Sequence, residues 1–301
     1  MVAFSCSIDA LRATNDIAGK QNYSWQTLSP DGSGVFSSTQ IQLATIPLHD
    51  ANDLDMIVIC GGDRSHSYSN AVLTNWLHAM AKNGKRIGSI SDGAFVVADT
   101  GLFDKVASTI HWKCYDAYRE RFPELNIRPS ILEISEKRFS CAGGTSSLDL
   151  MLHFISENHG PEIAGQVADN YFHDFIRDSS REQHMTNAFR LANKNPKLAE
   201  ALLLMEENLE TPLSIFQLAE KLQLSRRQLD RIFARYLQNT PQKLYRDLRL
   251  TRASGLLLQT GMSVSEVAVG CGFQSASHMG KYFFERFGQT PGEYRRQKNL
   301  A

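Results

Sequence analysis

Between Leu213 and Tyr294 one pattern is written twice: a short amphipathic helix, a tight turn, then a helix that turns polar side chains outward. In the first copy Ser214 and Ser225 stand where helix N-caps belong. Ile215, Leu218, Ala219 and Leu222 form the buried stripe of its leading helix. Its following helix keeps Leu229, Ile232, Phe233 and Tyr236 on one face at three- and four-residue spacing. The second copy runs from Ser263 to Gly288, with Gly272 at the turn, Ser275 opening the following helix, and Val267, Phe273 and Phe283 as core positions.

A helix that buries one face and presents Arg226, Arg227, Gln228, Asp230 and Arg231 on the other suits the major groove of DNA. The apolar pattern Leu244, Leu248, Ala253, Leu256 and Leu257 predicts one helix from Pro241 to Leu258 between the copies. Its roughly 20 residues span about 30 Å, close to the ~34 Å turn of a duplex. One polypeptide then reaches successive grooves. Ser225, Arg226, Arg227, Gln228 and Arg231 are the expected contacts of one groove, and Gln274, Ser275, Ser277, His278 and Lys281 those of the next.

Residues from about 196 to 297, including the closing run Phe287 to Arg295, resemble the DNA-binding domain of AraC/XylS-type transcription regulators. That resemblance implies double-stranded promoter DNA and RNA polymerase as partners. Charge points the same way. Residues 1–189 carry 15 Lys+Arg against 22 Asp+Glu, and residues 190–301 carry 17 against 10, so an overall charge of zero hides an acidic half joined to a basic one.

The acidic half alternates strands and helices, which predicts an α/β domain with a mainly parallel sheet and flavodoxin-like layering, followed by an all-α domain. A helix over residues 1–19 comes first, then a strand Tyr23–Leu28, a turn, and a hairpin or bent strand at Val35-Phe36 with Gln40–Leu43. Apolar strands follow at 55–62 and 86–91, with a helix between them striped by Leu73, Trp76, Leu77 and Met80. Gly93 opens a helix through Ala98, and Ser108–Trp112, Ser130–Ile134 and Arg138–Cys141 are further strand candidates. Helices over 147–158 and 161–176 close the domain. The expected division is a first domain at 1–176, a linker at 177–195 that starts with the charged run Arg177–His184, and a DNA-binding domain at 196–301 with helix-turn-helix units near 214–237 and 263–287.

Sites in such sheets lie beyond the carboxyl ends of the strands, which directs attention to Ser91-Asp92-Gly93. The run Ser89 to Asp104, followed by Ser108-Thr-Ile-His-Trp112, resembles the centre of a PfpI-type domain of the class I glutamine-amidotransferase-like superfamily. In that superfamily position 91 is commonly a cysteine, with a histidine near position 111; here it is Ser91. Together the halves resemble the GlxA-type branch of AraC regulators, in which this domain senses a small molecule. A first strand normally precedes the opening helix in that branch and is lacking here, which implies that Met1 is an internal methionine. The resemblance also implies a homodimer, and wording around Ile8–Asn15 and Tyr23–Trp25 resembles members that respond to quaternary amines or amino acids.

Two uses of the cleft stand side by side. In the enzymatic one Ser91 is a nucleophile and His111 its base, but a serine gains little from a helix dipole, Gly88–Gly93 does not read GxSxG, and Asp92 sets a negative charge where an oxyanion would form. In the binding one, which is the reading adopted, Ser91, Asp92, His111 and Trp112 offer hydroxyl, carboxylate, imidazole and indole to a polar metabolite. A quaternary amine also needs an aromatic cage, for which Trp25, Trp112, Phe95 and Tyr23 are candidates. His111 and Trp112 as core residues, with Asp92 capping the helix at Gly93, is the plainer alternative.

No cofactor or metal is expected. Cys6, Cys60, Cys114, Cys141 and Cys271 show no CxxC spacing and an odd count, Cys60 and Cys141 read as buried strand ends, and none of nine histidines forms HExxH. With no spanning apolar run and no signal-peptide pattern, the expected location is the cytoplasm.

Overall fold

A computed structural model of the chain describes residues 1–62, 64–179, 182–183 and 195–300, with side chains to 296. The chain divides into two compact units, Met1–Gln183 and His184–Ala301.

The first unit is organised by a four-stranded sheet. It opens with α1 (Val2–Ala18), which stops at Gly19 because that residue takes a left-handed φ of 63° and bonds back to Asp16. Two short pairs follow. β1 (Leu28–Ser29) lies parallel to β4 (Ile46–Pro47), and β2 (Val35–Phe36) forms a hairpin with β3 (Gln42–Leu43). The sheet itself consists of β5 (Met56–Cys60), β6 (Arg86–Ile90), β9 (Leu132–Ile134) and β10 (Arg138–Cys141), in the order β5-β6-β10-β9. β5, β6 and β10 are parallel and β9 is an antiparallel edge. Helix α2 (Ala71–Lys82), capped by the Asn70 side chain, crosses from β5 to β6, and α3 (Gly93–Ala98) follows β6 directly. A separate parallel pair joins β7 (Ala107–Ser108) to β8 (Asn126–Ile127), with α4 (Tyr115–Arg121) between them. Helices α5 (Ser146–His159) and α6 (Pro161–Asn170) complete the unit.

Apolar residues fill both faces of the sheet, as a parallel sheet requires. Ala10, Ala13, Leu152, Ile155 and Val167 from α1, α5 and α6 pack with Ile90, Leu132 and Phe139 on one side. Leu73 and Leu77 of α2 meet Ile57 and Ile87, while Phe95, Phe103 and Tyr118 form a further buried cluster. Each such side chain contributes roughly 1.5–3 kcal/mol by leaving water.

Three local expectations need correction. The strand expected over Tyr23–Leu28 pairs only from Leu28, because the Asn15 side chain takes the amides of Asn22 and Tyr23 and donates to the Tyr23 carbonyl. The strand expected over Ser108–Trp112 ends at Ser108, because the Thr109 amide turns to the Ser140 hydroxyl and a 3-10 turn begins at Trp112. The last helix of the unit ends at Asn170 rather than near Ile176, where Phe172 adopts a φ of 51°.

The segment placed in the linker from Arg177 onward lies against the first unit as far as it is described. Arg177 binds Asp149 through its backbone amide and guanidinium, and the Gln183 side chain, 8% exposed, donates to Thr109 Oγ1 and the carbonyls of Ile110 and Ser130. Residues 180, 181 and 184–194 lie outside the described residues.

The second unit is helical: α7 (Pro196–Glu207), α8 (Ile215–Lys221), α9 (Arg226–Leu237), α10 (Pro241–Gln259), α11 (Val264–Gly270), α12 (Ala276–Phe287) and α13 (Pro291–Leu300). It has two small cores. Leu198, Leu202, Met205, Leu218, Leu222, Leu229 and Phe233 form one, closed by Tyr245 of α10. Val267, Ala268, Phe273, Met279 and Phe283 form the other, on Leu250, Ala253 and Leu257 farther along the same helix. Helix α10 is thus the shared wall of both cores.

Candidate functional site

Two places in the molecule gather functional side chains, one in each unit. In the second unit the helix starts are fixed first. Ser214, Ser225 and Ser263 each accept the amide three residues on, while Gln217, Gln228 and Glu266 reach back to the cap amide, so three capping boxes set the frame. Such a cap is worth about 1 kcal/mol. The turn between α8 and α9 places Gln223 at φ 55°; the matching turn between α11 and α12 uses Gly272 at φ 70°. A β-carbon on Gly272 would stand 2.4 Å from Pro212 Cγ and 2.8 Å from the Leu209 carbonyl oxygen, so this turn packs on the loop ahead of α8. Arg249 of α10 donates to the Gly272 carbonyl at 2.9 Å and lies over the Phe273 ring, 4.4 Å from its centroid.

On that frame α9 buries Leu229 and Phe233, half-buries Ile232, and exposes Arg226, Arg227, Gln228 and Arg231. Helix α12 buries Met279 and Phe283 and exposes Ser277, His278 and Lys281, with Gln274 and Ser275 exposed just ahead of it. Three of these candidates already have structural work. Ser225 and Ser275 are the N-caps of α9 and α12, and the Gln228 side-chain oxygen accepts the Ser225 amide at 2.8 Å, which leaves its NH2 outward as a donor. The His278 ring stands edge-on between Phe273 and Tyr282, with centroids 6.0 and 5.3 Å away. Its direction is therefore held. Helix α10, with 19 residues, is about 28 Å long and is tied to α12 by Arg286, which donates to the Asp247 carbonyl and, at 2.8 Å, to Thr251 Oγ1.

In the first unit the carboxyl ends of β5, β6 and β10 converge on Ser91. Its φ is 55°, a left-handed value costly for a residue with a side chain. The surroundings impose it. The Ser91 amide donates to the Cys141 carbonyl at 2.9 Å, and only glycine fits alongside: a β-carbon on Gly93 would stand 2.2 Å from the Ile59 carbonyl oxygen, and one on Gly143 2.7 Å from Ser91 Cβ. The Ser91 hydroxyl donates to Asp92 Oδ1 at 3.3 Å, and the buried Cys114 thiol donates to the same oxygen at 3.3 Å. Asp92 makes no side-chain cap for α3. The contact through Cys114 brings the 3-10 turn Trp112–Cys114 to Ser91, and with it His111, whose Nδ1 accepts the Lys113 amide at 3.3 Å. The His111 and Trp112 rings stack 5.6 Å apart and both are half-buried, so neither is a core residue. Burial holds the His111 pKa below its ordinary value, against the opposing pull of the Asp92 carboxylate. No hydrogen bond joins Ser91 to His111 among the described residues.

The four aromatics considered for a cage are not brought together. Phe95 is 1% exposed and sits edge-on to Tyr118 in the core. Tyr23 packs on His159 at the far end of α5 and accepts from Asn158. Trp25 is 43% exposed on the segment ahead of β1, and no hydrogen bond or ring contact links it to Ser91, Asp92, His111 or Trp112. Cys60, expected buried, is exposed, whereas Cys141 is buried as expected. Sequence reasoning missed Cys114, whose position in a helical turn gave no sign that its thiol reaches Asp92.

Comparison with known proteins agrees with this division. Residues 218–297 match a helix-turn-helix domain family and residues 8–127 match the DJ-1/PfpI family. The chain is 35% identical over 302 residues to the HTH-type transcriptional regulator GbdR of Pseudomonas aeruginosa, spanning 100% of this chain and 82% of that protein. It is 32% identical over 299 residues to the HTH-type transcriptional regulator GlxA of Rhizobium meliloti, spanning 99% of this chain and 92% of that one. Among solved structures, an AraC family transcriptional regulator from Pseudomonas putida superposes with a TM-score of 0.52 at 25% identity, covering 57% of this chain and 92% of its own. Among the described residues no helix is long and apolar enough to cross a membrane. An α/β unit of DJ-1/PfpI type followed by paired helix-turn-helix units, with relatives along its whole length, places this chain in the AraC family of DNA-binding transcription regulators, in the branch that carries a DJ-1/PfpI-type sensor domain.

Proposed function

We propose that the chain is a cytoplasmic, homodimeric transcription activator whose first unit binds a small amine, betaine or amino acid without transforming it, and whose second unit then engages promoter DNA and RNA polymerase. Arg226, Arg227, Gln228 and Arg231 of α9 enter one major groove, and Gln274, Ser277, His278 and Lys281 at α12 enter the next, with Ser225 and Ser275 ordering the helix starts. The effector sits over Ser91, Asp92, His111 and Trp112. Trp25 lies outside that set for want of any contact joining it to the others.

The observation that carries the sensing reading is the direction of the Ser91 hydroxyl, which donates to Asp92 and not to His111. A serine nucleophile needs its base within hydrogen-bond reach and an orienting group behind that base. Here His111 Nδ1 is taken by the Lys113 amide instead. Asp92 presents a carboxylate beside the stacked His111 and Trp112 rings, a combination that attracts a cationic or zwitterionic ligand.

The test is a thermal-shift screen of the full-length protein against amines, betaines and amino acids. A ligand present at a hundred times its dissociation constant stabilises the folded state by about 2.7 kcal/mol. Ser91→Ala should shift the concentration of ligand needed and leave DNA binding intact. A ligand that is consumed on incubation, with turnover abolished by Ser91→Ala, would replace sensing by catalysis.

A further inference from the structure

The hairpin of β2 and β3 stands apart from everything else in the first unit. Both residues of β2 are exposed, Val35 at 45% and Phe36 at 62%, and Ile41 at the turn is 54% exposed. Successive residues of a strand point to opposite faces, so exposure of both Val35 and Phe36 means that neither face of the hairpin is covered. A two-stranded ribbon alone in water is marginal at best. β2 pairs only with β3, and β3 leads through Ala44 and Thr45 into β4, so the outer edge of β2 carries no strand partner.

The ribbon is nonetheless well ordered in its bonding. At its tip the Ser37 amide donates to the Ile41 carbonyl, the Gln40 amide to the Ser37 carbonyl, and the Ile41 amide to the Ser37 hydroxyl. At its base Thr45 and Ser29 hydroxyls meet at 2.8 Å and both donate to the Ser33 carbonyl. The edge is therefore presented in one conformation, with little ordering left to occur on docking.

Its charge pattern says what docks. From Gly32 to Leu48 there is no Asp, Glu, Lys or Arg, in a half of the chain that holds 22 Asp+Glu against 15 Lys+Arg. Exposed edge strands are ordinarily guarded by charge, proline or a bulge, and β2 has none of these. A second copy of this acidic unit is repelled over most of its surface, and this neutral apolar edge is a place where like can meet like without that cost.

We infer that the outer edge of β2 pairs antiparallel with β2 of a second copy, giving a four-stranded ribbon in the order β3-β2-β2-β3 across a two-fold axis. Strands related by a two-fold axis perpendicular to a shared sheet are necessarily antiparallel and self-complementary. Phe36 of each copy then stacks near its symmetry mate and is covered. This rests on the homodimer proposed above and names the surface that makes it.

The experiment is sedimentation of the full-length protein at micromolar concentration with Phe36→Lys, Phe36→Glu, an equimolar mixture of the two, and Thr39→Lys at the tip. Each Phe36 variant alone should dissociate to monomer, its dissociation constant raised about a hundredfold or more, because two-fold symmetry applies each loss of an aromatic anchor twice. The mixture should re-form dimers by opposing unlike charges, an outcome that a merely misfolded variant does not give. Thr39→Lys should remain dimeric. A wild-type dimer that persists in both Phe36 variants would overturn the assignment of this edge while leaving the homodimer standing. A monomeric wild type would overturn both.

Discussion

Asp149 is fully buried on α5 and accepts four hydrogen bonds: from His173 Nε2 at 2.9 Å, the Arg177 amide at 2.8 Å, Arg177 Nε at 2.9 Å and Arg177 Nη2 at 2.5 Å. Arg177 Nη2 also donates to Thr145 Oγ1, at the head of the same helix. This carboxylate holds the last stretch of the first unit to its helical layer. Asp149→Asn keeps the shape but replaces one acceptor oxygen by a donor, so in either amide orientation at least one Arg177 donor faces another donor. Charge-assisted bonds contribute about 1.5–3 kcal/mol each, and stranding a charge in a buried pair costs about 3–5 kcal/mol. Arg177 retains 22% side-chain exposure and can turn to water, so the lower end applies and the expected loss is about 3 kcal/mol. Hydrogen exchange on the full-length protein reads this directly. The Arg177 amide, which bonds the carboxylate itself, should exchange about a hundredfold faster, at about 1.4 kcal/mol per tenfold, while amides in β6 stay protected. Arg177→Ala should cost more, since it leaves a fully buried carboxylate with His173 alone. Unchanged exchange at Arg177 in Asp149→Asn would refute the clamp.

Further outcomes follow from single contacts. Arg227→Ala should weaken binding to the cognate promoter site by about 1–3 kcal/mol if the guanidinium reads a base, and equally on all sequences with a reduced salt slope if it holds a phosphate; gel shifts at several salt concentrations separate the two. Gly93→Ala forces a β-carbon to 2.2 Å from the Ile59 carbonyl oxygen, so the first unit should melt several degrees lower or fail to accumulate in soluble form. Burial pushes the Glu206 carboxyl up from its usual 4.5 to about 7. The folded state thus holds this proton more tightly, so the stability it adds is present in full below about pH 4.5 and is lost as pH rises through 7. The melting temperature of the second unit should fall across that window, and Glu206→Gln should flatten the fall. The Cys141 thiol, buried and pushed up to about 11, should resist alkylation in the native protein while Cys60, at the surface, reacts first.

In the first unit, sequence pattern located the strands and helices that pack against each other and failed where a side chain from elsewhere replaced a backbone partner. Met56–Cys60 and Arg86–Ile90 were visible because a strand buried on both faces reads as an unbroken apolar run. Tyr23–Leu28 alternates as well as any strand, but Asn15 satisfies its first peptide groups from a helix eight residues earlier. The helix after Pro161 carries apolar residues beyond Asn170, yet His173 and Arg177 leave it for Asp149, which lies 24 and 28 residues back. The Ser91 site shows the same division. The turn at Ser91-Asp92-Gly93 was legible from its place after a strand, whereas the Cys114 thiol that joins it to the His111 segment depends on contacts across 22 residues.

The second unit was legible nearly throughout, and the reason is that its determinants are local. Its caps act over three residues and its stripes over four, so the same short window that specifies a helix in the folded chain is the one read in the sequence. Even there the two turns differ. Gly272 announced itself because glycine is the residue that accepts φ 70° without a β-carbon, and here a β-carbon would also strike Pro212. Gln223 occupies φ 55° at the corresponding turn with no such signal, because its turn faces solvent and nothing crowds a side chain there. Local strain of this size, of order 1 kcal/mol, is sustained by the capping box at Ser225 and by Leu222 and Leu229, both buried on either side of it. A substitution of Gln223 by glycine should therefore preserve the turn and its reading helix, whereas alanine at Gly272 should displace α12 and with it His278 and Lys281.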